Sequence, residues 1–366
     1  MVALAVPHVR CATCRRPLVP RLVATGCPSC GDIGEIDWSP PTIDGDDLPP
    51  FLAWAPLGTD PVTLGEGRTP LVPVARWGDR FGLSHARAKL EYISPTGSFK
   101  DRGTAAVVTH ARAIGAGSLS EDSSGNAGAS LAAYGARAGI PVRVYVPESA
   151  SGVKVAQISA VGAEVIRVPG SRRGVTEAAI AHARDTGGYY AGHNANPYFT
   201  LGMASLAFEL APDPPDHLVM PVGGGSLFVG VALAFAAMGG LRRVTRLHAV
   251  QPAGCAPIVA AYERGEPVVA PIDRHATIAS GAEIETPPRG RQILDVLALS
   301  GGRAIAVTDA ELLAHREALA HAEGIDVEPT AALALAGAAR LRARGVLVDD
   351  ESVVIVLTGA GYKVAS

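Results

Sequence analysis

A lysine at the junction between a turn-rich stretch and a helix is the residue in this chain whose setting most suggests chemistry. Lys100 lies within Ser94-Pro95-Thr96-Gly97-Ser98-Phe99-Lys100-Asp101-Arg102-Gly103. Pro95 and Gly97 are turn residues, and Lys100-Asp101-Arg102 leads into helical composition over Thr104–Ile114. Such a position can hold the side chain in a cleft rather than on the outer wall of a helix. Apolar surroundings lower a lysine's pKa, and a neutral amine attacks an aldehyde to form a Schiff base. For three such residues alone, a solvated Lys-Asp-Arg cluster at a helix start is the plainer reading.

Three more stretches join strands to helices or close a strand. Ser123-Ser124-Gly125-Asn126-Ala127 opens a helix, which Asn126 either caps or supplies with an outward amide donor. The amides at that helix start can accept a carboxylate. Gly223-Gly224-Gly225-Ser226 follows the apolar run His217–Val222, and consecutive glycines let several N–H groups close around a phosphate. A dinucleotide site uses the same physics, but Phe228 stands where the third glycine of that spacing belongs, and no ribose-binding acid stands near residue 250. Thr358 follows the last strand, at the end where parallel sheets gather ligands, although an ordinary Thr-Gly turn would look the same.

The cysteines suggest metal. Cys11 and Cys14 form one tight pair and Cys27 and Cys30 a second, which together supply four thiolates for a tetrahedral zinc. A nucleic-acid contact is one use of such a ribbon. The other is a metal-stapled module too small to fold alone, and this is favoured because no aromatic stacking residues accompany Arg10, Arg15, Arg16 and Arg21. Cys255 reads as a core thiol.

The segment around Lys100 resembles the cofactor-lysine segment of the threonine synthase branch of fold-type II pyridoxal-phosphate enzymes, Asn-Pro-Thr-Gly-Ser-Phe-Lys-Asp-Arg-Gly, with Ser94 the one departure. Gly65-Glu66-Gly67-Arg68-Thr69-Pro70-Leu71, Glu328-Pro329-Thr330-Ala331-Ala332 and Leu357-Thr358-Gly359-Ala360-Gly361-Tyr362-Lys363 are similar to family segments in the same order. The resemblance implies that Lys100 holds pyridoxal phosphate and handles the α-proton. It assigns Asn126 to the ring oxygen, Thr358 to the ring nitrogen, and Gly223, Gly224, Gly225 and Ser226 to the phosphate. The backbone of Ser123, Ser124, Gly125 and Ala127 is left for the substrate carboxylate. The implied activity is elimination and replacement on an amino acid, with threonine synthase (O-phosphohomoserine and water to threonine and phosphate) as the lead. A serine or threonine dehydratase and a β-replacement synthase are the alternatives; an NAD-dependent oxidoreductase and a zinc-ribbon nucleic-acid protein come from other classes. Two segments depart from the branch. His193-Asn194-Ala195-Asn196-Pro197-Tyr198-Phe199 aligns with Asn-Ser-x-Asn-Pro-Tyr-Arg, so Phe199 replaces an arginine that helps to hold substrate phosphate. The glycine loop is also nearer the polyglycine loop of dehydratases. Arg68, Arg172 and Arg173 are candidates for replacement charge.

These residues need a scaffold. The 366 residues allow about two domains and a small module, and 48% hydrophobic against 18% charged residues permits sizeable cores. A net charge of −3 gives no global drive towards nucleic acid or anionic membrane. The longest apolar run, Leu227–Leu241, is shorter than a membrane span and fits a buried helix. Strands are expected at 86–91, 142–146, 164–168, 217–222, 247–251, 303–307 and 352–357. Helices are expected at 101–114, 126–138, 152–161, 175–186, 201–210, 226–238, 309–323 and 330–344. The alternation predicts an α/β fold of parallel-rich sheets covered by helices, behind an N-terminal zinc ribbon. The expected division is a ribbon over 1–40, a large cofactor-binding domain over 41–85 and 200–366, and a smaller domain over 86–199, with the crossing near Tyr189–Tyr198 and a wrapped linker over Asp37–Pro61. A cytoplasmic homodimer acting on a small amino acid, without nucleic-acid or membrane partners, completes the expectation.

Overall fold

The computed structural model describes residues 9–36, 52, 55–150, 152–238 and 245–364. Most of the expected linker therefore lies outside the described residues. The chain divides into two units, one of residues 1–67, 94–205 and 364–366, the other of residues 68–93 and 206–363.

The first unit is built on four parallel strands in the order Glu164–Val168, Val142–Pro147, Leu119–Glu121 and Tyr189–Tyr190. Helices Lys100–Ala113, Asn126–Ala138, Val153–Ala160 and Arg172–Thr186 accompany it. Leu119–Glu121 is buried at every residue, and Tyr145, Val175, Ala179, Ala183 and Tyr190 pack into one apolar cluster. The cysteine-bearing segment belongs to this unit. Its strands Val9–Cys11 and Gly34–Ile36 pair antiparallel, and the turn between them places Leu22 and Ala24 in that same cluster. Arg21 reaches from that turn to the carbonyl oxygens of Gly187, Ile114 and Gly115, which end two different helices. A cation on orphan carbonyls at helix C-termini is favourable. The cysteine-bearing segment is thus fastened into its unit rather than appended to it.

The second unit is built on six strands in the order Ala304–Val307, Arg246–Pro252, His217–Pro221, Val353–Val356, Ala86–Lys89 and Leu71–Pro73. All neighbours are parallel except the last pair. His217–Pro221 and Val353–Val356 are buried throughout, as central parallel strands must be when helices cover both faces. The apolar helix Ser226–Ala237 and the alanine-rich helix Pro329–Ala343 are likewise largely buried. Among the described residues no helix is long and apolar enough to cross a membrane.

Expected elements recur within a few residues, with three corrections. Ala86–Lys89 belongs to the six-stranded sheet because it pairs with both Val353–Val356 and Leu71–Pro73, so the first unit resumes at Ser94 rather than at residue 86. Tyr189–Tyr190 is a strand of the small sheet, and the chain passes to the second unit only after Ser205. The expected helix 201–210 is accordingly two helices, Pro197–Met203 and Ser205–Leu210, broken at Ala204.

At the amino ends of three central strands of the second unit, buried histidines form a directed chain. The Arg303 amide donates to Nδ1 of His248 at 3.1 Å. Nε2 of His248 must therefore carry the proton that meets Nδ1 of His217 at 2.8 Å, and Nε2 of His217 donates to Glu351 at 2.7 Å. Burial pushes His248 down to about 3, helped by the charges of His217, Arg246 and Arg303, and burial also lowers His217. Both imidazoles stay neutral in the folded protein while unfolded histidine protonates near pH 6.5. The unfolded state then binds more protons as pH falls below 6.5, so stability is present above that value and declines towards pH 3. We expect the midpoint of chemical denaturation to fall steadily between pH 6.5 and 5, with His248 contributing about 2 kcal/mol over that interval and His217 acting in the same direction. His248→Gln should flatten the slope; an unchanged slope would show that the pair is not its source.

Candidate active site

The segment around Lys100 is held by Asp101. Its buried carboxylate accepts the Thr96 amide at 2.7 Å and the hydroxyls of Thr96 and Ser130 at 2.6 Å. One acid therefore ties the turn to its own helix start and to the helix Asn126–Ala138. Gln157 adds a hydrogen bond to the Thr96 carbonyl at 3.2 Å. Arg102 is fully buried and donates to Oγ of Ser205 at 2.9 Å. Gly103 permits the close crossing of Pro197–Met203, because a Cβ there would meet Phe199 and Met203 at 2.7 Å. Gly202 serves the other side of the crossing, where a Cβ would lie 2.1 Å from the Arg102 carbonyl oxygen. Three of the four residues from Lys100 to Gly103 thus hold the scaffold. Lys100 remains for chemistry, its Nζ 4.7 Å from the centroid of Phe99 and 5.5 Å from that of Phe199.

The Ser123–Asn126 turn is half-buried and precedes the same helix that Asp101 anchors. Asn126 is the first helical residue, and Gly125 occupies the cap position without a side-chain cap bond, so the capping role for Asn126 is not the one observed. Gly128 lets the helix start close onto this turn, since a Cβ there would lie 1.9 Å from the Ser123 carbonyl oxygen. Beside the turn, Glu121 ends its buried strand with Oε1 3.1 Å from Nδ1 of His193. The charge of Glu121 was not singled out from the sequence, although two consecutive acids before Ser123 at the end of an apolar strand are an available signal.

In the second unit the remaining motifs converge. Gly223-Gly224-Gly225 leaves the carboxyl end of the central strand His217–Pro221. Gly225 has φ +94°, and a Cβ there would meet Ile293 at 2.5 Å. The helix that Ser226 opens has no side-chain cap. Gly223 abuts the Gly281 carbonyl, and the Gly281 amide donates to Thr330 at 3.1 Å. The Glu328 amide donates to the Gly359 carbonyl at 2.9 Å, placing the Glu328–Thr330 turn against the Thr358–Gly359 turn. The turn at Ser280–Ala282, which the sequence reading passed over, is what links the glycine loop to these two. Thr358 is 2% exposed, and its Oγ1 is buried without a hydrogen-bond partner among the described residues. A buried hydroxyl left so is costly unless a ligand completes it. That hydroxyl and the uncapped glycine cradle fit a phosphorylated aromatic cofactor.

Phe199 is buried, so the position expected to bear a phosphate-binding arginine presents a ring near Lys100 instead. Two of the arginines considered as substitutes are engaged: Arg172 pairs with Asp122 at 2.9 Å, and Arg173 pairs with Glu177 at 2.8 Å and is largely exposed. At the amino end, the sulfurs of Cys11, Cys14, Cys27 and Cys30 all lie within 4.8 Å of one another. The closest pairs stand 3.4 and 3.5 Å apart, well beyond a disulfide bond. The Ser29 amide donates to Cys27, the main influence lowering that thiol to about 6.

The chain is similar to known proteins over most of its length. The threonine synthase of Methanosarcina acetivorans is 34% identical over 96% of this chain and 91% of its own length. That of Mycobacterium tuberculosis is also 34% identical, over 88% of this chain and 91% of its own. Among solved structures, a threonine deaminase from T.th. covers 82% of this chain and 94% of its own, with a TM-score of 0.72 and 27% identity. Maize serine racemase, at 23% identity and a TM-score of 0.70 over 80% of this chain and 88% of its own, shares the fold. Residues 62–359 match the family described as pyridoxal-phosphate dependent enzyme, and the chain belongs to that family.

Proposed function

We propose that this enzyme carries out elimination and replacement on an amino acid in the manner of a threonine synthase, converting O-phosphohomoserine and water to threonine and phosphate. The reading is carried by the 34% identity to a threonine synthase over 96% of the chain. The lysine segment supports it. Pyridoxal phosphate, when bound, supplies an electron sink that lets the α-proton leave. Lys100 would hold the cofactor and then take and return that proton at Nζ, its position fixed through Asp101 and the rings of Phe99 and Phe199. Asn126 would donate to the ring oxygen, and the amides of Ser123, Ser124, Gly125 and Ala127 would bind the substrate carboxylate. Gly223, Gly224, Gly225 and Ser226 would hold the phosphate with backbone N–H groups. Thr358 would hydrogen-bond the ring nitrogen without charging it, which favours elimination and replacement over transamination. Cys11, Cys14, Cys27 and Cys30 would bind one structural zinc, whose four thiolates require about the spacing these sulfurs have.

A second reading, elimination from a substrate without phosphate, is favoured by Phe199. A charge-assisted hydrogen bond is worth about 1.5–3 kcal/mol, and none is available from a phenyl ring.

Three measurements test these assignments. Lys100→Ala should abolish the borohydride-trappable cofactor adduct and its absorbance band while leaving the far-UV circular dichroism intact; an adduct that persists removes Lys100 from its role. Metal analysis should find one zinc per chain, lost in Cys11→Ser and Cys27→Ser with a lowered thermal midpoint, and a metal-free wild type would overturn that assignment. Offered O-phosphohomoserine, threonine and O-phosphoserine in parallel, the wild type should turn over the first, with KM about 10- to 100-fold above that of an enzyme bearing the arginine. Phe199→Arg should lower that KM. A micromolar KM in the wild type would mean that another cation holds the phosphate, and turnover of threonine alone would select the second reading.

A further inference from the structure

Glu121 and His193 have no task in the chemistry assigned above. Glu121 ends a buried strand and runs directly into Asp122 and the half-buried Ser123–Asn126 turn. Its side chain is 2% exposed and that of His193 is 12% exposed, so the pair meets its surroundings through the imidazole. The His193 ring stands edge-on to Phe199 at 5.7 Å, and Nζ of Lys100 lies 5.5 Å from the centroid of that same ring. Lysine and imidazole are thus both neighbours of one aromatic side chain, at the position where the sequence replaces an expected arginine.

The surrounding charges divide the work between two adjacent acids. Asp122 accepts from the Tyr190 hydroxyl at 2.9 Å and from Thr176, and it pairs with Arg172 at 2.9 Å. Glu121 meets His193. Burial raises the Glu121 carboxyl well above the usual range and the charge of Asp122 adds to this, while Lys100 opposes it. Burial likewise drives His193 well below its ordinary value, and Lys100 and Arg172 push the same way. Both directions select one state, a carboxylic acid donating to a neutral imidazole that keeps its own proton on Nε2.

We infer that Glu121 and His193 form one acid–base pair that carries a proton from the entering water to the departing oxygen of the substrate, with His193 the catalytic member and Glu121 its positioning partner. The inference rests on the threonine synthase reading. When the substrate's carbon–oxygen bond breaks, its electron pair leaves with the phosphate oxygen, and the Nε2 proton of His193 passes to that oxygen. The Glu121 proton moves to Nδ1 in the same exchange, leaving a lone pair on Nε2 and the charge on Glu121. The water oxygen then bonds to the unsaturated side-chain carbon as one of its O–H bonds breaks. That proton passes to Nε2 while the Nδ1 proton returns to Glu121. The electron pair displaced from the carbon–carbon double bond ends on the α-carbon, which is protonated by Lys100. Lys100 also carries the two carbon-bound protons: the β-proton, lost as the carbon–oxygen bond breaks and the β–γ double bond forms, is returned to the γ-carbon as that double bond shifts to the α- and β-carbons. The α-proton is returned last, so phosphate ester and water become alcohol and hydrogen phosphate with the pair restored.

The test uses the holoenzymes of wild type, His193→Asn and Glu121→Gln. His193→Asn should keep the cofactor absorbance band but lose about 10²- to 10⁴-fold in kcat, and its product should shift from threonine to the keto acid released when water fails to add. Glu121→Gln preserves shape but cannot lend a proton; the same product shift and an altered pH profile of kcat are expected, with KM little changed. In wild-type holoenzyme labelled with ¹⁵N-histidine, His193 should remain neutral and Nε2-protonated from pH 5.5 to 8. An unchanged product ratio and pH profile in both folded variants, or a His193 that titrates near pH 6.5, would overturn the pair. Should His193→Asn not fold, an unchanged product ratio in Glu121→Gln would do so by itself. A wild type without the cofactor band, or without replacement on O-phosphohomoserine, would overturn the functional reading instead. The imidazole titration would then decide the pair on its own, neutrality supporting it and a midpoint near 6.5 overturning it.

Discussion

Two helices of the first unit cross so closely that neither can carry a side chain at the contact. Gly103 on one and Gly202 on the other let Pro197–Met203 lie against the backbone around Arg102, and everything chemical in this unit is referred to that crossing. It brings Phe199 within reach of Lys100 and sets the buried guanidinium of Arg102 against Ser205. Asp101 completes the arrangement from the other side by gathering Thr96 and Ser130 onto one carboxylate. A buried charge is tolerated only where such donors surround it. Rigidity around the lysine thus comes from backbone approach and one saturated acid.

This explains why the short motif was so legible. Its residues Asp101, Arg102 and Gly103 each answer a geometric demand that few alternatives meet, so their identities are readable without coordinates. The alternation of apolar strands and helices was equally readable, because parallel strands covered on both faces must be apolar throughout. What could not be read was allegiance. Ala86–Lys89 looks like the first strand of whatever follows it, yet its partners Leu71–Pro73 and Val353–Val356 assign it to the other sheet. Strand pairing over more than two hundred residues has no local signature. The two-residue strand Tyr189–Tyr190 and the break at Ala204 are too short for any periodicity to show.

The candidate site follows the same division. Lys100, Asn126, the glycine loop and Thr358 could be singled out because each stands at a strand-to-helix or strand-to-turn junction with a recognisable local pattern. Glu121, His193 and the Ser280–Ala282 turn were passed over because their roles come from neighbours distant in sequence. The cysteine-bearing segment is a mixed case. Its four cysteines predict their own clustering, but nothing local foretells that Arg21 would close the ends of two helices, which makes the amino-terminal module part of the fold's fastening.

The histidine chain at the base of the larger sheet has an orientation as well as a composition. Its donors run one way, from the Arg303 amide through His248 and His217 to Glu351, and each ring's tautomer is dictated by the link before it. Replacing one member by a residue with the wrong donor pattern strands a buried proton or lone pair at the next. His217, His248 and Glu351, linked across 31 and 134 residues of chain, are therefore coupled, and the cost of a change at one depends on what stands at the other two.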